Sequence, residues 1–141
     1  MNESAVQAAI RVRASELGIR LWRNNVGACS DETGRVIRYG LGNDSAQLQK
    51  RLKSSDLVGW MRMRKHQPFF DSTYSTVEHQ AVFLSVECKT PKWHGDHARF
   101  NDREKAQQAW IDLVKADGGV AFFARSVEEF ESELKKAGYN A

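Results

Sequence analysis

The chain has 141 residues, of which 41% are hydrophobic and 10% aromatic, and it carries a net charge of +3 with a pI of about 9.0. This length suits a single domain over 1–141, and the apolar content supports a real core, which excludes a disordered chain. No apolar run reaches the roughly 20 residues needed to span a bilayer. The opening MNESAVQAAIRVR does not read as a secretory leader, and Cys29 and Cys88 lie far apart with no CxxC pair, so a cytoplasmic protein with reduced thiols is expected.

Glu3 to Leu17 is predicted as a helix, with Val6, Ile10 and Leu17 at helical spacing, Asn2 as N-cap and Gly18 as stop. Glu3 precedes Val6 by three residues, which starts its carboxylate on the buried side. Ile19 to Arg23 alternates as a short strand, broken by Asn24, Asn25 and Gly27, and Arg35 to Tyr39 is a second strand. Ala46 to Leu52 reads as one or two helical turns and Asp56 to Met61 as a strand. His66 to His79 reads as an irregular hairpin connection. Ala81 to Thr90 (AVFLSVECKT) is the strongest strand, rich in β-branched and aromatic residues and ended by Pro91.

Pro91 to Phe100 is expected to be a mobile loop. A helix follows over Asn101 to Asp117, with an Asn101–Glu104 capping box, an apolar stripe of Trp110, Ile111, Leu113 and Val114, and Gly118-Gly119 as its end. Val120 to Ala124 reads as a buried strand. Ser126 and Glu129 suggest another capping box, before a last helix with Val127, Phe130, Leu134 and Ala137 on its apolar face. The implied class is α/β, with a mixed central sheet flanked by helices in the order αβββαβα.

Charge is uneven along the chain. Arg11 to Lys65 holds twelve Lys/Arg against five Asp/Glu, and Arg99 to the end holds seven against eight. A basic half fits a phosphate-bearing partner, although charge alone fits a solvated surface equally well. Lys50, Arg51 and Lys53 form the clearest basic cluster, just before Asp56. Arg23 and Asn25, beside Trp22, are candidates for contacting a phosphate or a displaced base.

Glu87 and Lys89, two apart on one strand, point to the same side. A salt-bridged surface pair is the plain alternative, and an ExK triplet is common by chance. Asp56 sharpens the reading. If its strand pairs beside Ala81 to Thr90, two carboxylates converge into an oxygen-rich site suited to Mg2+ or Mn2+. Gln107, three before Trp110, starts an apolar stripe and needs an internal partner. His94 and His97, with Asp96 between, have a zinc-compatible spacing but no further Cys or His nearby. No GxxxxGK[ST] loop, GxGxxG turn or GxSxG elbow occurs, so no nucleotide cofactor or esterase chemistry is expected.

The segments Ser55 to Trp60 (SDLVGW), Phe83 to Pro91 (FLSVECKTP) and Gln107 to Ser126, with the Glu3 helix and Trp22 to Gly27 ahead of them, resemble the virus-type replication-repair nuclease (VRR-NUC) family. The likeness runs from Glu3 to about Phe130. It implies a PD-(D/E)xK nuclease core, with Asp56, Glu87 and the Cys88 carbonyl holding Mg2+ or Mn2+ and Lys89 acting on the attacking water. It makes Glu3 an additional acid and Gln107 the glutamine of the following helix. The family's proline before the metal aspartate is replaced by Ser55. The implied function is metal-dependent, structure-selective endonuclease cleavage of branched DNA by a homodimer, similar to a Holliday-junction resolvase in phage or bacterial DNA repair. A flap, nicking or restriction-type nuclease and a non-catalytic DNA-binding module are the alternatives.

Overall fold

The helix-forming and strand-forming runs fold around one four-stranded sheet in the computed structural model, which describes residues 1–64 and 78–140. Helix α1 (Glu3–Glu16) is followed by β1 (Arg20–Arg23), β2 (Gly27–Ser30), β3 (Val36–Tyr39), α2 (Ala46–Arg51), β4 (Leu57–Arg64) and β5 (His79–Cys88). A 3-10 turn (His97–Arg99), α3 (Asp102–Ala116), β6 (Val120–Ala124) and α4 (Val127–Lys136) complete the order. The main sheet runs β1-β4-β5-β6, antiparallel except for the parallel β5–β6 pair that α3 connects. The chain is therefore a mixed α/β protein with a central mixed sheet flanked by helices.

The one strand the sequence concealed is β2. β1 ends at Arg23, before Asn24 and Asn25, but Gly27 then opens a separate β2–β3 hairpin, opposite Tyr39. This hairpin is largely exposed, so it lacks the apolar alternation that marks a core strand. The predicted hairpin connection from His66 falls mostly in 65–77, outside the described residues, and His79 already belongs to β5.

Alternation splits the sheet into two faces. Leu21, Leu57, Met61, Leu84, Val86, Phe122 and Ala124 pack with Val6, Ile10 and Ala14 of α1 and Phe130 and Leu134 of α4 in the main core. Across the sheet, Ile111 and Val114 of α3 cover Ala121, with Trp110 and Phe123 packed against them. Leu113 lies outside this stripe and is exposed, whereas Glu104, Ala106 and Gln107 are buried. The polar turn of α3 faces inward because it meets the charged end of β5.

Local signals hold the helices in place. Asn2 caps α1, and the reciprocal Asn101–Glu104 box caps α3. Gly18 and Gly118 leave α1 and α3 at φ of 76° and 95°, values that only glycine adopts freely. The second box is half formed. Ser126 accepts from the Glu129 N–H, but the Glu129 carboxylate takes the Arg125 N–H and guanidinium instead. Gly59 is required for a different reason: a Cβ there would sit 1.8 Å from the Arg20 carbonyl oxygen of the neighbouring strand. Because backbone cannot yield as a side chain can, Gly59→Ala is expected to destabilise the fold by about 1–3 kcal/mol or more. A lowered urea midpoint at unchanged slope would show it, and a wild-type midpoint would contradict the close approach.

Candidate metal centre

Asp56 is the residue before β4, and Glu87 is the penultimate residue of β5. Leu57 pairs with Val86, so the antiparallel ladder carries residues 56 and 87 to facing positions at the sheet end. Main-chain groups tie the two acids to both strands: the Asp56 N–H donates to Glu87 Oε2 at 3.1 Å and the Cys88 N–H to Asp56 Oδ2 at 3.0 Å. Asn24 fixes the approach to Asp56. Its amide donates to Ser54 Oγ and the Ser55 carbonyl, and its N–H donates to the Asp56 carbonyl at 2.7 Å.

Lys89 lies just past β5, yet its N–H continues the ladder by donating to the Ala124 carbonyl at 2.9 Å. Its side chain thus turns to the same side as Glu87. The two are joined through Gln107, because Lys89 Nζ donates to Gln107 Oε1 at 2.8 Å and Gln107 Nε2 donates to Glu87 Oε1 at 2.9 Å. An ammonium has donors only, which fixes the orientation of the Gln107 amide. Glu87, Gln107 and Lys89 are 2%, 3% and 8% exposed. Burying charges so far from water is costly unless each finds a partner.

Glu3 completes the acidic group. It is exposed rather than buried, as its helical phase had suggested, because it lies in the first turn, beyond the edge of the core. One carboxylate oxygen each from Glu3, Asp56 and Glu87 lies within 4.8 Å of the others. Burial, followed by the Asp56 charge, pushes the Glu87 carboxyl well above its ordinary value of 4.5, while Lys89 opposes the shift. Partial burial and then Asp56 also raise Glu3, against Lys89 and Arg103. A mutually repelling set of carboxylate oxygens, running from the exposed Glu3 to the buried Glu87, suits a hard cation such as Mg2+ or Mn2+. Cys88 contributes its main chain here. Burial first, then the surrounding acids, raises its thiol pKa, so the thiol stays protonated in the core.

The loop after Lys89 is anchored, contrary to its expected mobility. Trp93 Nε1 donates to Glu104 Oε2 at 2.6 Å, and the Trp93 ring packs on Phe100 and Phe123. Lys89 Nζ lies 5.4 Å from the Trp93 ring centroid and 5.8 Å from that of Phe123. His94 and His97 join this aromatic cluster, and among the described residues the metal-capable group is the acidic one. Trp93, Phe123 and Arg103 were missed from sequence because aromatic and basic residues are common and only the fold brings these to the site.

Two cavities share Asp56. One of about 180 Å3 is lined by Gln49, Lys53, Ser55, Glu87, Arg103 and Gln107. The buried Ser55 Oγ and Gln49 Oε1 there have no hydrogen-bond partner among the described residues, so a bound water would find unused polar groups. The other, of about 440 Å3, is lined by Gln7, Arg23, Asn24, Asn25 and Tyr39. Arg23, Asn25 and Lys53 are therefore brought to the acidic site, while Lys50 and Arg51 are exposed on α2 and line neither cavity. No family model, curated protein or solved structure matches the chain.

A raised carboxyl pKa favours the proton in the folded state, so the contribution of Glu87 to stability is greatest below the ordinary carboxylate range and is lost as pH rises through its raised value. A cation would relieve that cost at neutral pH. Mn2+ at about a hundredfold over its Kd should add about 2.7 kcal/mol to wild-type stability. The gain should fade on acidification, as protons compete for Glu87, and be absent in Glu87→Gln. Thermal melts with and without Mn2+ read this, and an equal shift in Glu87→Gln would remove Glu87 from the site.

Proposed function

We propose that the chain is a metal-dependent DNA endonuclease with a PD-(D/E)xK core. One observation carries the reading: Glu3, Asp56, Glu87, Lys89 and Gln107, scattered over the chain, meet at one sheet end with three acids within 4.8 Å and the lysine tied to the buried acid through the glutamine. Gathering three acids around one point opposes folding, and metal-assisted phosphodiester hydrolysis is a chemistry that uses such a group.

Asp56 and Glu87, with Glu3 beside them and the Cys88 carbonyl that the VRR-NUC resemblance adds, would hold Mg2+ or Mn2+. The ion would supply charge neutralisation at the phosphate and water of lowered pKa. Lys89 provides a fixed positive charge next to that position. Because Gln107 and the Trp93 and Phe123 rings hold its ammonium, little reorganisation is needed as negative charge develops on the phosphoryl oxygens. Gln107 is a positioning residue that sets Lys89 and Glu87 relative to each other. Lys53 and Arg103 on the smaller cavity, and Arg23 and Asn25 on the larger one, suit the phosphates on either side of the cut. Lys50 and Arg51 would extend that path over α2. Branched DNA is the proposed substrate, and a homodimer would place two such sites symmetrically.

Incubation with junction, flap, splayed and linear DNA, with and without Mg2+ or Mn2+, tests the assignment. Cleavage should require the cation. Glu87→Ala and Lys89→Ala should each reduce it at least about 100-fold with native circular dichroism. Full activity in folded Glu87→Ala would overturn the reading, and binding with no cutting by the wild type would make the chain a DNA-binding module instead. Replacing Lys50, Arg51 and Lys53 together by Glu should weaken DNA binding and flatten its salt dependence, by about 0.9 in log–log slope for each phosphate no longer neutralised. Unchanged binding would exclude that path.

A further inference from the structure

The face of the sheet that bears Asp56 and Glu87 also carries exposed aromatic rings. Alternation puts Asp56, Val58, Trp60, Arg62 and Arg64 on one side of β4. The register sets Arg20 of β1 and Phe83 of β5 on either flank of Trp60, with Trp22 two pairs along and on the same face. Trp22 and Trp60 meet edge to face with ring centroids 5.0 Å apart. Yet Trp22, Trp60 and Phe83 remain 47%, 44% and 39% exposed. The sheet partners of α3 are β5 and β6, and among the described residues these three rings stay open to solvent. Large aromatic side chains gain from burial, so three left open side by side point to a ligand.

The charge around them indicates which kind. The strand sequences RLWR of β1 and LVGWMRMR of β4, and β5 from His79 to Val86, contain no Asp or Glu. Arg20, Arg62 and Arg64 are exposed and share the aromatic side by alternation. A polyanion with flat apolar groups satisfies both features, the exposed rings and the arginines beside them. Aromatic rings flanked by cations are what sequence-tolerant stacking of unpaired bases uses. The distance from Asp56 to Trp60, four residues of extended strand, is about 13 Å. That equals roughly four stacked bases at about 3.4 Å each.

We propose that Trp22, Trp60 and Phe83, with Arg20, Arg62 and Arg64, form a stacking platform for unpaired nucleotides on the strand that leads to the acidic site. The direction toward a cut rests on the nuclease reading; binding itself does not. The platform makes the preferred DNA one with a single-stranded arm or unpaired bases a few nucleotides from the scissile phosphate.

The test is fluorescence anisotropy with labelled short oligo-dT and a blunt duplex of equal length, in EDTA so that nothing is cut. Wild type should bind oligo-dT more tightly than the duplex. Trp22→Ala and Trp60→Ala should each weaken oligo-dT binding about tenfold or more, with unchanged melting temperature, while Trp60→Phe keeps most of the affinity. Wild-type affinity in both alanine variants, or no oligo-dT binding by the wild type, would overturn the platform. So would a Trp60→Ala variant that turns a sedimenting dimer into a monomer with unchanged oligo-dT affinity, since the face would then join two copies. Parallel cleavage assays separate the two proposals. Tryptophan-dependent binding without any cutting retains the platform and ends the nuclease reading; cutting with no tryptophan dependence of binding does the reverse.

Discussion

The buried carboxylate of Glu87 is the constraint around which the charged end of the sheet is organised. It lies at 2% exposure beside a second acid, and the fold answers with several specific bonds. The Asp56 N–H, the Gln107 amide and, through that amide, the Lys89 ammonium all converge on it. The inward-facing polar turn of α3, the parallel β5–β6 pair that extends to Lys89, and the Trp93 roof over the lysine are each consistent with supporting that one group. Acids held this close oppose folding by mutual repulsion, a conflict typical of sites kept for function rather than stability.

The two faces of the sheet divide the work. One is closed by α1 and α4 and supplies the core that fixes strand register. The other is closed by α3 only in part, and the acids, the cavity that Lys53 and Arg103 share with them and the open aromatic rings all lie on it or at its end. Register is therefore functional as well as structural: a slip of one residue in β4 would send Asp56, Val58 and Trp60 to the opposite face together.

Much of this was legible in the sequence because it depends on local spacing. Helix caps at Asn2 and Asn101, the apolar run of β4, the β-branched and aromatic content of β5, and the two-residue spacing of Glu87 and Lys89 follow from period and chemistry within a few residues. The need of Gln107 for an internal partner was readable too, since a polar side chain heading an apolar stripe is anomalous. The β2–β3 hairpin was not, because an exposed hairpin carries no burial pattern. The anchored loop was misread because Trp93 is held by Glu104, a residue that the capping box alone already explained. Arg103, Phe123 and the shared face of Trp22, Trp60 and Phe83 depend on long-range pairing, which no local pattern encodes.

The central claim is that these acids share one hard ion, and the most direct measurement is the anomalous scattering of manganese in crystals grown with it. The account predicts a peak in direct coordinating reach of Asp56 and Glu87, with Lys89 still bonded to Gln107. A protein that cuts DNA in Mn2+ while its manganese sits elsewhere, or that leaves those two carboxylates without an ion at saturating concentration, would contradict it.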